Sequence, residues 1–161
     1  MSDGEDSPYF REVVRTVDTI EQYTRGLVGS NATIVRRRQG GLLALMLDIA
    51  PTNPFSCAIF VLAEQELNIT VSRARRSAQI ELSYSGEDAA IALKVIAATV
   101  AGRVSERRAI GRSTVTFTFD DGQSKSLTSY GYLSLFIPQP GWKRWGRVVN
   151  FAPYVYPVAD H

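Results

Sequence analysis

The sequence predicts an α+β domain in which an antiparallel sheet of about six to eight strands carries an N-terminal helix and a central helix packed on one face. Two observations indicate this fold class. Two segments place apolar residues at helical spacing, and the segments between and after them consist of β-prone or alternating residues. The resulting order of helix, strands, helix and hairpin is typical of helices gathered on one face of an antiparallel sheet.

The first helix is predicted to begin at Ser7-Pro8, because proline is tolerated in the first turn of a helix. Gly26 and Gly29 predict its end. Residues 1–7 are acidic and polar and are expected to form a loose lead-in. Charged residues take one face of the helix, so the apolar face needs a partner surface, most simply the sheet. The apolar positions are Phe10, Val13, Val14, Val17, Ile20 and Tyr23.

Five strands are predicted between the two helices. The first two form a predicted hairpin about the turn Gln39-Gly40-Gly41. The second strand is apolar almost throughout and is therefore expected to be central, with both faces covered. The last two alternate apolar and polar residues, which is the period of half-buried strands. The five strands are predicted at residues 32–38, 42–50, 56–63, 67–72 and 78–82.

The central helix, predicted over residues 85–108, is the clearest helical pattern in the chain. Ser85 is a good N-cap, and Asp88 three residues later meets the capping-box pattern with an acidic side chain. Gly111 is expected to stop the helix. The apolar stripe consists of Leu93, Ile96, Val100 and Val104. The cations that suit the negative end of the helix dipole are Arg103, Arg107 and Arg108.

A second hairpin is predicted after the central helix. Residues 113–119 alternate threonine with apolar residues, and the returning strand is predicted at 125–137. Asp121-Gly122 stands between these runs, and an Asp-Gly turn in this position is a strong hairpin signal.

The chain ends in a predicted short strand at 148–151 and an irregular tail over 152–161. No internal repeat or long linker divides the sequence, so residues 1–161 are predicted to form a single domain. The composition, 45% hydrophobic and 21% charged, is that of a globular protein and not of a disordered one. The net charge of +2 is too small to demand a polyanionic partner.

Localisation is expected to be cytoplasmic. The acidic N-terminus is the opposite of a signal peptide, and the longest apolar run, at residues 42–47, is far too short to span a membrane. Cys57 is the single cysteine, so an internal disulfide is excluded, and its apolar neighbours indicate a small buried side chain.

The residues needed for several common enzyme mechanisms are missing. The single histidine is His161, the last residue, so no Ser-His-Asp or Cys-His constellation and no zinc site is expected. No phosphate-binding glycine motif occurs. Asp120 and Asp121 are expected to serve turn geometry. Asp48 interrupts an apolar strand and is expected either to face solvent or to pair with an arginine such as Arg36. These features favour a protein without enzymatic activity, cofactor or metal.

The strongest candidate for a functional site is the segment 142–147. Tryptophan and arginine are enriched at the hot spots of protein interfaces, and a loop rich in proline and glycine precedes the segment. Alternatively, both tryptophans fold back over an open end of the core. The predicted partner-binding residues are Trp142, Lys143, Arg144, Trp145 and Arg147.

The sequence is also compatible with two other functions. Arginine clusters could bind a polyanion, and the segment 142–147 could stack on bases, although no nucleic-acid-binding module is recognisable. The candidate polyanion-binding residues are Arg36, Arg38, Arg73, Arg75 and Arg76. A small ligand or substrate could instead occupy a pocket between helix and sheet, lined by Tyr84, Tyr130 or Tyr132.

Among these alternatives, the sequence favours a non-enzymatic protein-binding domain. Small α+β domains without cofactors often serve as bacterial immunity proteins or secretion chaperones, and this is an analogy of architecture alone. Such a domain would act by occluding the working surface of another protein, or it would self-associate.

Overall fold

The computed structural model describes residues 7–39, 44–73, 76–130 and 140–155. Across these ranges it contains three helices and nine strands, which confirms the predicted α+β fold with its N-terminal and central helices. The helices are α1 (Pro8–Val28), α2 (Gly86–Val100) and α3 (Trp142–Trp145). The strands are β1 (Ala32–Gln39), β2 (Ala44–Pro51), β3 (Ala58–Ala63), β4 (Leu67–Arg73), β5 (Arg76–Leu82), β6 (Val104–Ala109), β7 (Arg112–Thr118), β8 (Ser124–Tyr130) and β9 (Arg147–Asn150).

The described strands form two antiparallel sheets instead of one. The first five pair in chain order, β1-β2-β3-β4-β5, and make the five-stranded sheet. The remaining four make the four-stranded sheet, in the order β8-β7-β6-β9. The predicted hairpins β1–β2 and β7–β8 are therefore present, and β4 also pairs antiparallel with β5. The glycines of the first hairpin turn lie outside the described residues.

Strand β2 lies inside the five-stranded sheet but is covered on one face only. Leu45, Leu47 and Ile49 are buried, whereas the alternate residues Met46 and Asp48 remain half-buried. The prediction that both faces are covered is wrong, because both long helices lie on the same side of the sheet and no other described element forms a layer on the opposite side. The apolar character of β2 thus overstates its burial.

Helix α1 closes the inner face of the five-stranded sheet. The Ser7 hydroxyl caps the helix by accepting a hydrogen bond of 3.0 Å from the Phe10 amide. Val13 and Val17 are fully buried, and each stabilises the core by roughly 1.5–3 kcal/mol. Arg36 on β1 donates to Asp18 at 2.6 Å and so ties the polar side of the helix to the sheet.

Helix α2 ends eight residues earlier than predicted. The Gly102 and Arg103 amides donate to the carbonyls of Thr99 and Ala98, and Gly102 adopts a φ of 71°. A Cβ atom at Gly102 would lie 2.5 Å from the backbone nitrogen of Pro153, so only glycine fits. The chain then reverses into β6, and the prediction of a helix over residues 85–108 is wrong from residue 101 onward.

The early helix end also changes the role of three arginines. Arg103, which follows Gly102, forms an ion pair with Asp120 in the β7–β8 turn, and Arg107 and Arg108 lie on β6. None of them lies in the last turn of a helix, so the predicted interaction with the helix dipole is absent. The charge pair Lys94–Asp121, at 2.6 Å, links α2 to the same turn.

The four-stranded sheet shares one hydrophobic core with the five-stranded sheet. Val104, Phe117 and Phe151 are buried in the same cluster as the helices and the inner face of the first sheet. The predicted single domain accords with this shared core and stays a prediction for the chain as a whole. No helix within the described ranges combines the length and apolar character that crossing a membrane requires.

The described part of the predicted tail is irregular but firmly packed. Ser56 and Asn53 each donate a side-chain hydrogen bond of 2.8 Å to the Pro153 carbonyl. The Tyr154 amide donates to Val100, and the Tyr154 side chain is only 1% exposed. These contacts fasten residues 152–155 between the end of α2 and the loop before β3.

Candidate protein-binding surface

The two tryptophans of the segment 142–147 have opposite environments. Trp142 is 6% exposed and belongs to the protein interior, whereas Trp145 is 58% exposed. The Trp145 indole nitrogen donates to the Pro140 carbonyl at 3.2 Å, which orients the ring. The alternative in which both tryptophans cover the core therefore holds for Trp142 alone, and Trp145 is available to a partner.

Arg107 fixes the short helix α3 against β6. Its guanidinium donates to the backbone carbonyls of Arg144, at 3.1 Å, and Gly146, at 3.4 Å, which lie at the carboxyl end of the helix. A Cβ atom at Gly146 would lie 2.6 Å from the Arg108 carbonyl, so the two segments are in close contact. Sequence reasoning missed this role, because it placed Arg107 at the end of the central helix.

Strand β9 is the edge of the four-stranded sheet in the order of the described strands. The Phe151 amide donates to Val104 on β6 at 3.0 Å. Since backbone groups alternate in direction along a strand, Val149 and Arg147 also turn theirs toward β6, and Val148 and Asn150 turn theirs outward. The outer edge thus offers amide and carbonyl groups at two positions.

We define the β9 surface by five residues: Lys143, Arg144, Trp145, Arg147 and Val148. All five residues are exposed, and Val148 is 45% exposed. Among the described residues, none of the three cations in this surface makes an ion pair. The surface therefore combines an aromatic side chain, an aliphatic side chain, three cations and a strand edge with which no described strand pairs. Trp142, the fifth predicted binding residue, lies beneath it.

The candidate polyanion-binding arginines do not converge. Arg36 pairs with Asp18, and the Arg38 guanidinium lies 5.4 Å from the centre of the Phe10 ring. Arg73 lies at the other end of the five-stranded sheet, 5.3 Å from the ring centre of Phe55.

The strand register measures the separation of these arginines. Arg73 lies three strands away from Arg36, which is about 14 Å across the sheet, and four residues further along the strand direction, which is about 13 Å. Arg75 and the side chain of Arg76 lie outside the described residues. The residues that can be placed therefore form no single polyanion-binding face.

The tyrosines suggested for a ligand pocket are likewise separated. Tyr84 lines a cleft of about 160 Å³ between α1 and α2, below the volume of usual small-molecule sites. Its hydroxyl donates to the Glu64 carbonyl at 2.9 Å. Tyr130 lies exposed on β8, and Tyr132 falls outside the described residues.

Three of the side chains considered for chemistry, Cys57, Asp121 and Asp48, are held by their surroundings. Burial raises the pKa of the Cys57 thiol to about 12, so the thiol stays protonated at neutral pH and is a poor nucleophile. Asp121 has a lowered pKa because Lys94 donates to its carboxylate. Asp48 lies half-exposed on the open face of the sheet and pairs with Arg37 at 3.4 Å, not with Arg36.

Glu106 is a buried carboxylate that the sequence reasoning did not identify. It is 2% exposed and accepts hydrogen bonds from the Arg108 Nε at 2.5 Å and the Ser113 hydroxyl at 2.6 Å. A buried charge requires such partners. The signal in the sequence was Gly102, which ends the helix and moves Glu106 onto a strand.

Comparison of the chain with protein-family models, with curated proteins and with solved structures found no match.

Proposed function

We propose that this protein is a non-enzymatic protein-binding domain that captures an extended, acidic segment of another protein at the β9 surface. The observation that carries the proposal is the outward-facing backbone of Val148 and Asn150 beside the exposed Trp145. Capture would occlude that segment from its other partners. This is the mode of action expected of a bacterial immunity protein or a secretion chaperone.

Strand addition is the binding mode that suits an open edge. A partner strand would form main-chain hydrogen bonds with Val148 and Asn150, which supply affinity with little dependence on sequence. Side chains of the partner would then alternate between the two faces of the four-stranded sheet. The proposal thus uses backbone groups for affinity and neighbouring side chains for selectivity.

Trp145 provides the anchor for such a partner. A large aromatic side chain buries roughly 150–250 Å² when it is covered, and tryptophan is enriched among the residues that dominate binding energy. Val148 extends the apolar contact along β9. An apolar side chain of the partner placed against Trp145 would therefore supply most of the hydrophobic contribution.

Charge selects an acidic partner and disfavours a second copy of this chain. Lys143, Arg144 and Arg147 would attract aspartate and glutamate side chains. Pairing β9 with β9 of another copy would bring the same cations together, and like charges facing each other across strands are destabilising. The proposal accordingly commits to another protein and not to self-association.

Selection from a displayed peptide library tests the proposal. The probes are peptides of about eight residues, a usual strand length. We expect selected sequences to combine acidic residues with alternating apolar residues, and their affinity to fall as salt is raised. Trp145→Ala should weaken binding by at least about tenfold, whereas Tyr130→Ala, which removes an exposed aromatic from the opposite edge strand, should not.

Two results would count against the proposal. One is selection of no sequence above background, or of sequences that bind Trp145→Ala as tightly as the unaltered protein. The other is a stable dimer in solution that Val148→Pro dissociates, which would assign the edge to a second copy.

A further inference from the structure

The face of the five-stranded sheet that lies opposite the long helices has an apolar centre. Antiparallel strands that face water usually turn polar residues outward, and β4 and β5 do so with Thr70 and Gln79. Strands β2 and β3 differ, because their outward side chains include Met46, Phe60 and Leu62, all half-buried. No described element forms a layer over this side of the sheet. We call it the open face.

The strand register arranges the open face in rows that cross the sheet from β1 to β5. One row consists of Arg37, Met46, Leu62, Asn68 and Glu81. The neighbouring row consists of Val35, Asp48, Phe60, Thr70 and Gln79. Two contacts between the rows, the Arg37–Asp48 ion pair and the hydrogen bond from Gln79 to Asn68, confirm that they share one face.

The first row has opposite charges at its two ends. The Arg37 side chain, on the edge strand β1, is 63% exposed and can therefore contact a second carboxylate besides Asp48. Glu81, on the other edge strand β5, is exposed. The apolar side chains Phe60 and Leu62 stand on β3, the central strand of the sheet. This order, with a cation at one edge and a carboxylate at the other, makes the face complementary to a second copy of itself.

A two-fold axis parallel to β3 brings these complementary groups together. The rotation turns each row end for end, so Arg37 of each copy faces Glu81 of the other, and the contact occurs twice. Asp48 then faces Thr70, whose hydroxyl can donate to the carboxylate. Each outward residue of β3 faces its own counterpart, which buries the apolar centre.

Charge disfavours a two-fold axis across the strands. An axis along the first row would set Arg37 against Arg37 and Glu81 against Glu81, and an axis along the second would bring two Asp48 carboxylates together. Like charges in these positions oppose association. With the axis parallel to β3, the two sheets pack as in a β-sandwich, with their strands inclined by about 30°. The long side chains of Arg37 and Glu81 can span the offset that this inclination causes at the edges.

We infer that the protein forms a two-fold symmetric dimer through the open face, with β3 of one copy against β3 of the other. Each of the five strands contributes about three outward side chains, fewer in total than the roughly 20–30 residues per side of a standard interface, so the dimer should dissociate on dilution. The apolar centre supplies affinity, and the edge charges select the orientation. The β9 surface lies on the other sheet, so neither proposal depends on the other.

Sedimentation velocity over a concentration series from about 1 µM to about 500 µM tests the dimer. The unaltered protein should shift from monomer to dimer as its concentration rises. Phe60→Glu sets two carboxylates against each other at the axis and should keep the protein monomeric throughout. Tyr23→Glu makes a similar change at an exposed aromatic side chain of α1 and should dimerise like the unaltered protein. Circular dichroism verifies that each variant is folded.

The edge charges give a test that depends on the direction of the axis. Arg37→Glu faces Glu81 with an acid, and Glu81→Arg faces Arg37 with a cation, so each variant alone should dimerise several-fold more weakly than the unaltered protein. An equal mixture of the two variants should form a heterodimer, because both of its edge contacts then join a cation to a carboxylate. A fluorescent label on one variant follows the heterodimer in the same sedimentation experiment.

The inference is overturned if the unaltered protein stays monomeric throughout the series, or if a folded Phe60→Glu dimerises as tightly as Tyr23→Glu. It is equally overturned if the mixture of charge variants associates no more tightly than either variant alone. Both charge variants alter exposed side chains, so the mixture decides the question even where Phe60→Glu does not fold. A dimer that Val148→Pro dissociates and Phe60→Glu does not would place the contact at β9 and contradict both proposals.

Discussion

The phenolic hydroxyl of Tyr154 donates a hydrogen bond of 2.6 Å to the backbone carbonyl of Cys57, 97 residues earlier in the chain. Both residues are buried, and the Tyr154 amide also donates to Val100 at the end of α2. The segment after β9 thus connects the end of α2 with the residue that precedes β3 through hydrogen bonds. This contact and the close approach of Pro153 to Gly102 both hold the segment after β9 against the rest of the core.

Tyr154→Phe should lower the stability of the fold. The substitution keeps the ring but leaves the buried Cys57 carbonyl without this donor, which costs about 1–3 kcal/mol. Urea denaturation should show a lower midpoint with an unchanged slope. Tyr130→Phe, which removes the hydroxyl of an exposed tyrosine, should shift stability by less than about 0.5 kcal/mol. Equal effects of the two variants would contradict the role assigned to Tyr154.

Gly102→Ala should destabilise the protein more strongly than Tyr154→Phe. A left-handed residue other than glycine costs roughly 1–2 kcal/mol, and the new Cβ would also clash with the Pro153 backbone at 2.5 Å. Thermal unfolding should therefore show a large fall in Tm.

Gly26→Ala is the matched control for that substitution. Gly26 lies inside α1, and a Cβ atom there would meet nothing within 4 Å. Alanine is favoured over glycine in a helix by about 0.5–1 kcal/mol, so this variant should be slightly more stable than the unaltered protein. Retention of full stability by Gly102→Ala would show that the chain reverses after α2 without the contact to Pro153.

Cys57 should resist alkylation in the folded protein. Burial raises the pKa of its thiol from 9.0 to about 12, so almost no thiolate exists at pH 8. Iodoacetamide should modify Cys57 slowly under native conditions and rapidly in urea. Equal rates in the two conditions would contradict the burial of this side chain.

The same pKa shift makes stability depend on alkaline pH. A thiol with a raised folded-state pKa favours the protonated form, so its contribution is complete below the unfolded pKa of 9.0. The contribution should decline as pH rises from 9.0 toward about 12. Cys57→Ala, measured beside the unaltered protein, should remove this component of the decline.

The alternating strands were the part of the fold that sequence reasoning predicted best. In β4, β5 and β7 the period of two directly reflects which side chains face the core, so no knowledge of distant residues was needed. The hairpin at Asp121-Gly122 was equally local, because turn chemistry depends on the turn residues themselves.

The end of α2 could not be predicted in the same way. The apolar stripe from Leu93 to Val104 continues at helical spacing although the chain has already left the helix after Val100. What stops the helix is Gly102, and its requirement comes from Pro153, which is distant in sequence. Because this boundary was misplaced, the positions of Glu106 and Arg107 on β6 and the division into two sheets could not be predicted either.

The sequence indicated which residue types form the candidate site, but not which of them are exposed or how they are placed. The pattern of tryptophan and arginine indicated an interface, yet it could not say that Trp142 would be buried and Trp145 exposed. That difference arises because Arg107 holds α3 against β6, a contact between segments that are far apart in sequence. The open edge at β9 likewise depends on which strand β6 pairs with.

The affinity of one selected acidic peptide for Val148→Pro and Val148→Ala tests whether partners bind at the edge of β9. Proline removes the outward amide at an edge-strand position, where proline is found in sheets, and it also fixes φ, whereas alanine keeps the amide and shortens the side chain. Asn150→Pro provides a second variant that removes the other outward amide. Fluorescence anisotropy measures the affinities, and circular dichroism verifies that each variant is folded.

Strand addition predicts that Val148→Pro and Asn150→Pro each weaken peptide binding by at least about tenfold, since an acceptor on the peptide loses its donor. Val148→Ala should stay within about threefold of the unaltered protein, because its backbone donor is retained. Folded proline variants that bind the peptide as tightly as Val148→Ala would show that the edge of β9 is not the binding site.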